Sequence, residues 1–173
     1  MARVAIVRNG GLEIDQDLEF QRKAWVAQRV GWVVMALFVL AAAAGLLGSG
    51  PLSRARAAVP GVMTLEYDRF ARFETSTTLT VRLDSAVTAG ELVRVSLNRD
   101  FLDSAKVETV LPPPTRVESA AGRSIYVFAV AEPRVPLLLT FTVAPQEFGI
   151  HAGVVRLESR DAHRIFFRQL VYP

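Results

Sequence analysis

Two histidines, His151 and His163, are the side chains best suited to metal binding or acid–base chemistry in this chain, which contains no cysteine. His151 lies between Gly149 and Gly153, and His163 follows Asp161, so both are predicted to lie in loops or turns. A zinc site needs three or four ligands at suitable spacing, and neither histidine has such neighbours. We therefore predict no metal site and no cofactor.

Motifs for catalysis are also missing. With only two histidines, both in predicted turns, and no serine in a nucleophile-elbow pattern, a Ser-His-Asp triad is not expected. Gly10 and Gly11 lack the lysine and the strand-to-helix context of a phosphate-binding loop. The carboxylates follow no calcium-loop pattern. These features predict a protein that is not an enzyme.

An interaction surface is better supported than a catalytic site. Phe166 and Phe167 are adjacent in a predicted strand, where neighbouring side chains point to opposite faces. One ring must therefore face away from the core, unless the strand is buried on both faces, which is the alternative. The candidate interaction patch consists of Arg164, Phe166 and Arg168.

The charge distribution argues against a nucleic-acid partner. The net charge is +3, and basic and acidic residues are well mixed along most of the chain. A nucleic-acid-binding protein concentrates its positive charge on one patch or stripe. We expect no nucleic acid among the partners.

An apolar segment near the N-terminus determines how the chain is organised. From Val30 to Ser53 there are 24 consecutive residues without a charged side chain. As a helix, residues 30–48 are about 28 Å long, close to the ~30 Å hydrocarbon core of a bilayer. The sequence predicts a juxtamembrane and transmembrane helix over 17–49, with the span at about 30–48.

The residues around the start of this span suit a membrane–water interface. Trp25 and Trp32 lie seven positions apart on one helix face, and aromatic rings of this kind anchor at the level of the lipid head groups. The nearby basic side chains suit anionic lipids, or act only as flanking charges that stop the helix from sliding. The predicted membrane-interface residues are Arg22, Lys23, Trp25, Arg29 and Trp32.

Small side chains recur at every fourth position in the second half of the span, at Ala41, Gly45 and Ser49. Such a row lets another helix approach closely in lipid. It is therefore a helix-packing candidate, with simple apolar filler as the alternative. Homo-oligomerisation remains open on this basis.

The basic residues also predict an orientation. Three of them precede the span within about 20 positions and two follow it, so the positive-inside rule places the N-terminus in the cytoplasm by one charge. The apolar run is longer than that of a cleaved signal peptide, which favours an uncleaved signal anchor, although an A-x-A sequence at 55–57 leaves cleavage open. We predict a single-pass protein of the bacterial inner (cytoplasmic) membrane with a periplasmic C-terminal domain.

The regions on either side of the helix have different patterns. Residues 1–16 form a predicted cytoplasmic arm, in which Asn9 and Gly10 indicate a β-hairpin. Residues 50–60 are a predicted tether. In 61–173 the apolar period becomes two, with turn residues between the candidate strands, which predicts an antiparallel β-sandwich of 7–8 strands. The candidate strands are 62–70, 77–83, 91–98, 106–111, 124–130, 137–144, 153–159 and 164–172.

Two stretches carry a resemblance to known proteins. The first comprises Leu137-Leu138-Leu139-Thr140-Phe141-Thr142-Val143-Ala144-Pro145, Gly149, Gly153 and Val171-Tyr172-Pro173. It resembles the closing strands of immunoglobulin-like or fibronectin type III-like bacterial modules, and implies an exported Ig-like sandwich without the Cys–Trp–Cys core of antibody domains.

The second stretch comprises Gln21-Arg22-Lys23, Trp25, Gln28-Arg29, Gly31-Trp32, the span and Gly50-Pro51-Leu52-Ser53. It is similar to uncharacterised single-pass bacterial membrane proteins, and this similarity implies no activity. The predicted fold class is therefore mainly β, with one N-terminal transmembrane α-helix followed by an Ig-like β-sandwich.

Together these patterns favour a membrane-anchored, non-catalytic accessory or scaffolding protein that contacts lipids and presents its sandwich to a membrane or envelope protein. The alternative is a membrane-tethered module that binds a small ligand or a glycan. Such a ligand would be bound by loops such as Leu111 to Arg123 or Ala144 to Gly153.

Overall fold

The computed structural model describes residues 18–43, 52–159 and 161–173. The chain divides into two compact units, one ending at Leu40 and one beginning at Ala41. The hairpin predicted in residues 1–16 lies outside the described residues, as do Gly45 and Ser49 of the predicted helix-packing row.

The helix α1 (Leu18–Ala43) includes all the described residues of the N-terminal unit and ends three residues beyond Leu40. Its large apolar side chains are exposed on all sides, and among its described side chains none is buried. A helix that is apolar all round belongs in a protein core or in a membrane. By length and composition alone, Phe20–Ala43 is long enough and apolar enough to cross a membrane.

The C-terminal unit is a β-sandwich, and its described residues form eleven strands. Their bounds are β1 (Arg54–Val59), β2 (Met63–Asp68), β3 (Phe70–Arg72), β4 (Thr77–Leu83), β5 (Leu92–Asn98), β6 (Ala105–Leu111), β7 (Arg116–Ala120), β8 (Arg123–Ala129), β9 (Leu137–Pro145), β10 (Gly149–Leu157) and β11 (Arg164–Tyr172). A short helix, α2 (Arg99–Ser104), lies between β5 and β6.

The strands form two sheets. The first has the order β1-β2-β4-β9-β6 and the second has the order β3-β11-β10-β5-β8-β7. Neighbouring strands are antiparallel except for β3 and β11, which pair in parallel over three residues. The second sheet is therefore mixed rather than purely antiparallel.

Alternating side chains build the core between the two sheets. In β4, Leu79, Val81 and Leu83 are fully buried, while the residues between them face outward. The ring of Phe141, on β9 of the first sheet, lies 5.2 Å from Tyr126 and 6.3 Å from Phe128 on β8 of the second, centroid to centroid. These edge-to-face contacts join the two sheets.

One domain boundary predicted from the sequence is corrected. The segment 50–60 is predicted to be a tether, but Arg54–Val59 forms β1, which pairs with β2 along its whole length. The sequence Arg-Ala-Arg-Ala-Ala-Val alternates with period two, and Ala55 is buried opposite Tyr67. Because alanine is small and weakly hydrophobic, this alternation is faint in the sequence.

The predicted fold class is confirmed: the chain is mainly β, with one N-terminal apolar helix and a sandwich of two sheets. Each of the eight predicted strands corresponds to a strand, and β1, β3 and β7 are additional. β3 forms where the chain leaves the first sheet at Arg69 and joins the second beside β11. β7 is an edge strand whose alternation of burial is weak, so its sequence carries little signal.

Candidate functional site

The outward face of β3, β11 and β10 is the candidate functional site, and we call it the basic apolar face. On β11, Phe167 is buried in the core, whereas Phe166 is 63% exposed and Leu170 is 41% exposed. Ile150 of β10 lies directly opposite Leu170 and is 72% exposed. The face consists of Phe70, Ile150, Val154, Phe166 and Leu170, together with Arg72, Arg156, Arg164 and Arg168.

The structure brings the predicted interaction patch together at the centre of this face. Arg164, Phe166 and Arg168 are all exposed and lie on the same side of β11. The guanidinium carbon of Arg164 lies 5.1 Å from the centroid of the Phe166 ring, within cation–π distance. Its function as an interaction site remains a prediction.

The charge of the face is one-sided. Strands β3, β10 and β11 together contain four arginines and no lysine, aspartate or glutamate. Arg156 lies directly opposite Arg164 in the antiparallel register, on the same face. Like charges at directly opposed positions destabilise a sheet. An anionic group bound between these two arginines would remove that repulsion.

Arginines elsewhere on the same sheet have carboxylate partners. Arg94 and Arg116 both contact Glu118, and the Nε of Arg116 lies 2.7 Å from the Glu118 carboxylate. The Nε of Arg123 lies 2.9 Å from Oε1 of Glu158, in an ion pair without hydrogen-bond geometry. The four arginines of the basic apolar face form no ion pair within the described part of the chain.

Replacing Glu118 is expected to lower the stability of the folded protein by an amount that depends on pH. The hydrogen bond from Arg116, opposed by burial and helped by Arg94, holds the pKa of Glu118 below its ordinary value of 4.5. A carboxyl with a lowered pKa stabilises the folded state above its unfolded pKa, and this contribution disappears as the pH falls through the folded pKa. Glu118→Gln should therefore lower the unfolding temperature slightly at pH 7.

The difference between wild type and Glu118→Gln should vanish in thermal unfolding at strongly acidic pH. Glu132→Gln is the matched control, because Glu132 is exposed and makes no ion pair among the described residues. A constant difference between wild type and Glu118→Gln from neutral to strongly acidic pH would contradict the assigned pKa direction.

The two histidines do not form a common site. His151 lies in β10 rather than in a loop, and its Nε2 lies 2.8 Å from the carbonyl oxygen of Glu147. His163 follows a turn, where its carbonyl oxygen accepts a hydrogen bond from the Leu157 amide. Within the described ranges, no group of three or more metal-ligating side chains is present.

A shallow groove of about 500 Å³ lies on the outward side of the first sheet. Its charges are mixed, and its lining includes Arg54, Arg56, Glu66, Asp68, Thr78 and Thr80. Tyr67 also borders the groove, but its ring centroid lies 5.2 Å from that of Phe167 in the core. The groove therefore differs from the basic apolar face in both charge and hydrophobicity.

On α1, the structure brings two of the predicted membrane-interface residues together. The guanidinium carbon of Arg29 lies 3.7 Å from the centroid of the Trp25 ring, one helical turn away. Arg22, Lys23 and Trp32 are exposed as well. Ala41 lies near the end of the helix. The membrane-interface and helix-packing assignments remain predictions.

Several residues of the basic apolar face are not among those predicted from the sequence. Ile150 and Arg156 belong to β10, which starts at Gly149 rather than at the predicted residue 153. If the predicted strand is extended back to Gly149 with the same alternation of side chains, Ile150 and Val154 lie on one face. Nothing in the sequence indicates that this face lies beside Phe166, because that depends on the pairing of β10 with β11.

Comparison with known proteins finds no matching family model and no matching curated protein. Solved structures similar to this chain include a cohesin module from a Clostridium perfringens family 33 glycoside hydrolase, with 9% identity and a TM-score of 0.46. It matches 64% of this chain and 96% of that module. A cohesin–dockerin complex from Clostridium thermocellum has a chain with 9% identity and a TM-score of 0.43, covering 64% of this chain and 99% of the other.

A third similar structure is an uncharacterised protein from Nocardia farcinica with an immunoglobulin-like fold. The identity is 14% and the TM-score 0.34, over 65% of this chain and 81% of that chain. The predicted resemblance to immunoglobulin-like modules agrees with these neighbours. They carry no argument about the activity of this chain, whose fold class follows from its own sheets.

Proposed function

We propose that this chain is a single-pass, membrane-anchored, non-catalytic accessory or scaffolding protein that presents its β-sandwich to a protein partner in the membrane or envelope. The observation that carries the proposal is the basic apolar face. Phe166 and Ile150, both more than 60% exposed, lie there among arginines that have no carboxylate partner in the described residues.

The composition of this face is that of a protein interface. Aromatic side chains and arginine are enriched at such interfaces and supply most of their strongest contacts. Self-association through this face is disfavoured, since a symmetric pair would bring its arginines close to one another. A partner surface with apolar residues and carboxylates would complement both properties.

The helix supports the membrane part of the proposal. α1 has the length and composition of a span, and Trp25, Arg29 and Trp32, around the start of the predicted span, suit the cytoplasmic interface and its anionic lipids. We propose an N-terminus in the cytoplasm of a bacterium and a sandwich in the periplasm. An uncleaved anchor in the inner membrane would raise the effective concentration of the sandwich near membrane partners.

Photo-crosslinking tests the proposal. With p-benzoyl-phenylalanine in place of Phe166, irradiation of cells is expected to yield a discrete protein adduct in the membrane fraction. The same crosslinker in place of Arg82, which is exposed on the opposite sheet, is the matched control and should yield little of that adduct. Recovery of the monomer alone from both positions, or of lipid adducts only, would contradict a protein partner.

The alternative, a membrane-tethered module for a small ligand or a glycan, has the groove on the first sheet as its supporting feature. The loops predicted for it are largely strands, since β7 lies within 111–123 and β10 begins at Gly149. Among the described residues, the only aromatic side chain lining the groove is Tyr67, whose ring packs against Phe167 rather than forming a platform for a sugar. We therefore favour the protein partner.

A further inference from the structure

We infer that the partner supplies an extended acidic segment, which adds a strand to the open edge of β11 from Arg164 to Arg168. This inference rests on the proposed function and specifies the chemistry of the partner. It combines two observations on β11, the unpaired edge of its backbone and the alternation of its outward side chains.

The outer edge of β11 is only partly paired. β3 pairs with Leu170, Val171 and Tyr172 and with no earlier residue of β11. The residues before Arg69 do not extend this pairing, because Asp68 is the last residue of β2, which belongs to the other sheet. Within the described residues, no strand is hydrogen-bonded to the backbone edge from Arg164 to Gln169, and β1 of the first sheet lies close to β11 without pairing with it.

Hydrogen bonds to the two residues that flank β3 show which backbone groups point toward this edge. The amide of Leu170 donates to the carbonyl oxygen of Arg69 at 2.7 Å, and the carbonyl of Tyr172 accepts from the amide of Phe73 at 2.9 Å. Successive residues of a strand direct their backbone groups to alternate sides, so Phe166 and Arg168 direct theirs to the same edge. An added strand would satisfy these groups.

The side chains of the same residues define what the added strand should carry. Arg164, Phe166 and Arg168 project to the basic apolar face, and an added strand would place its own alternate side chains beside them. Carboxylates beside Arg164 and Arg168 and an apolar residue beside Phe166 give the pattern acidic-x-apolar-x-acidic. The repulsion between Arg156 and Arg164 would fall when a carboxylate binds there.

Edge protection is the simpler account of the arginines, because charged residues on an open edge discourage association between sheets. That account leaves Phe166 unexplained, since an exposed aromatic ring between Arg164 and Arg168 would promote association rather than prevent it. A lipid surface explains the charge and the ring but not the open backbone edge, because lipids add no strand. An extended acidic segment accounts for all three features.

Selection from a library of short random peptides tests the inference. The full-length chain, held in nanodiscs of zwitterionic lipid, is expected to enrich peptides with the acidic-x-apolar-x-acidic pattern. Arg164→Glu with Arg168→Glu should weaken the selected peptides at least about tenfold, since both carboxylates would then meet like charges. Arg82→Glu, on the opposite sheet, should leave their affinity unchanged.

N-methylation of the peptides separates edge pairing from binding to the face alone. Methylating the amides that would pair with Phe166 and Arg168 should abolish binding, whereas methylating the alternate amides should not. Binding that is indifferent to both would overturn the strand addition while leaving the proposed function intact. No enrichment, or enrichment of apolar peptides without acid, would overturn it too. If the Arg164→Glu, Arg168→Glu variant lost binding to phosphatidylglycerol vesicles but kept its binding to peptides, the face would be assigned to lipid instead.

Discussion

Gly153→Ala is expected to destabilise the sandwich by about 3 kcal/mol, a large part of the stability of a domain of this size. A Cβ at position 153 would lie 2.0 Å from Cζ of Phe167. That ring is 2% exposed and is held between Phe101 and Tyr67, with centroid distances of 5.0 Å and 5.2 Å. Because the ring is buried between these two neighbours, it would have to move together with Phe101 and Tyr67 to make room for the methyl group.

Chemical denaturation of the full-length chain, followed by proteolysis of the unfolded state, would measure this loss. Gly90→Ala is the matched control, since the nearest atom to its added Cβ is 3.9 Å away, and it should change stability by less than about 0.5 kcal/mol. Adding Phe167→Leu to Gly153→Ala should recover part of the loss, because the smaller side chain leaves room for the methyl group. Equal behaviour of Gly153→Ala and Gly90→Ala would show that the Phe167 ring does not lie over Gly153 as closely as described.

Leu37→Arg combined with Leu40→Arg is expected to release the chain from the membrane. Both leucines are more than 60% exposed on α1. Each arginine near the middle of a span costs about 3 kcal/mol on insertion scales, and each lost leucine removes a further fraction of a kcal/mol. The two substitutions together should cost about 6 kcal/mol, more than a single span of this composition tolerates.

Two measurements would follow the Leu37→Arg, Leu40→Arg variant. The wild type should stay in the membrane after a carbonate wash, and a C-terminal reporter that works only outside the cytoplasm should be active. The variant should lose both properties, whereas Leu37→Ala with Leu40→Ala should keep them. Release of the wild type by carbonate would refute the anchor, and an inactive reporter on a retained wild type would reverse the proposed orientation.

The strands of the sandwich could be predicted from the sequence wherever buried and exposed residues alternate strongly. In β4, for example, Leu79, Val81 and Leu83 alternate with polar or charged residues, and that pattern identifies a half-buried strand without any knowledge of its neighbours. β1 was missed because its buried residue is Ala55, which gives a weak signal. β3 was missed because its three residues continue the pattern of β2 and only the change of sheet separates them.

The candidate site could be predicted from the sequence only in part. Arg164, Phe166 and Arg168 are neighbours in one strand, so alternation alone places them on one face. Arg156 and Ile150 join them through the register of β10 against β11, in which Arg156 faces Arg164 and Ile150 faces Leu170. The unpaired backbone edge of β11 depends on a third strand, β3, which pairs with β11 from Leu170 to Tyr172 and with no earlier residue.

The sequence by itself determined the apolar helix, the mainly β character of the rest and the outward position of one phenylalanine. Each of these follows from periodicity and composition within a few residues of the chain. The tertiary structure alone decided that four arginines and five apolar side chains share one surface beside an unpaired edge. The physical reason is that strand register and sheet order arise from contacts between distant segments, such as Arg156 with Arg164 and Phe70 with Leu170.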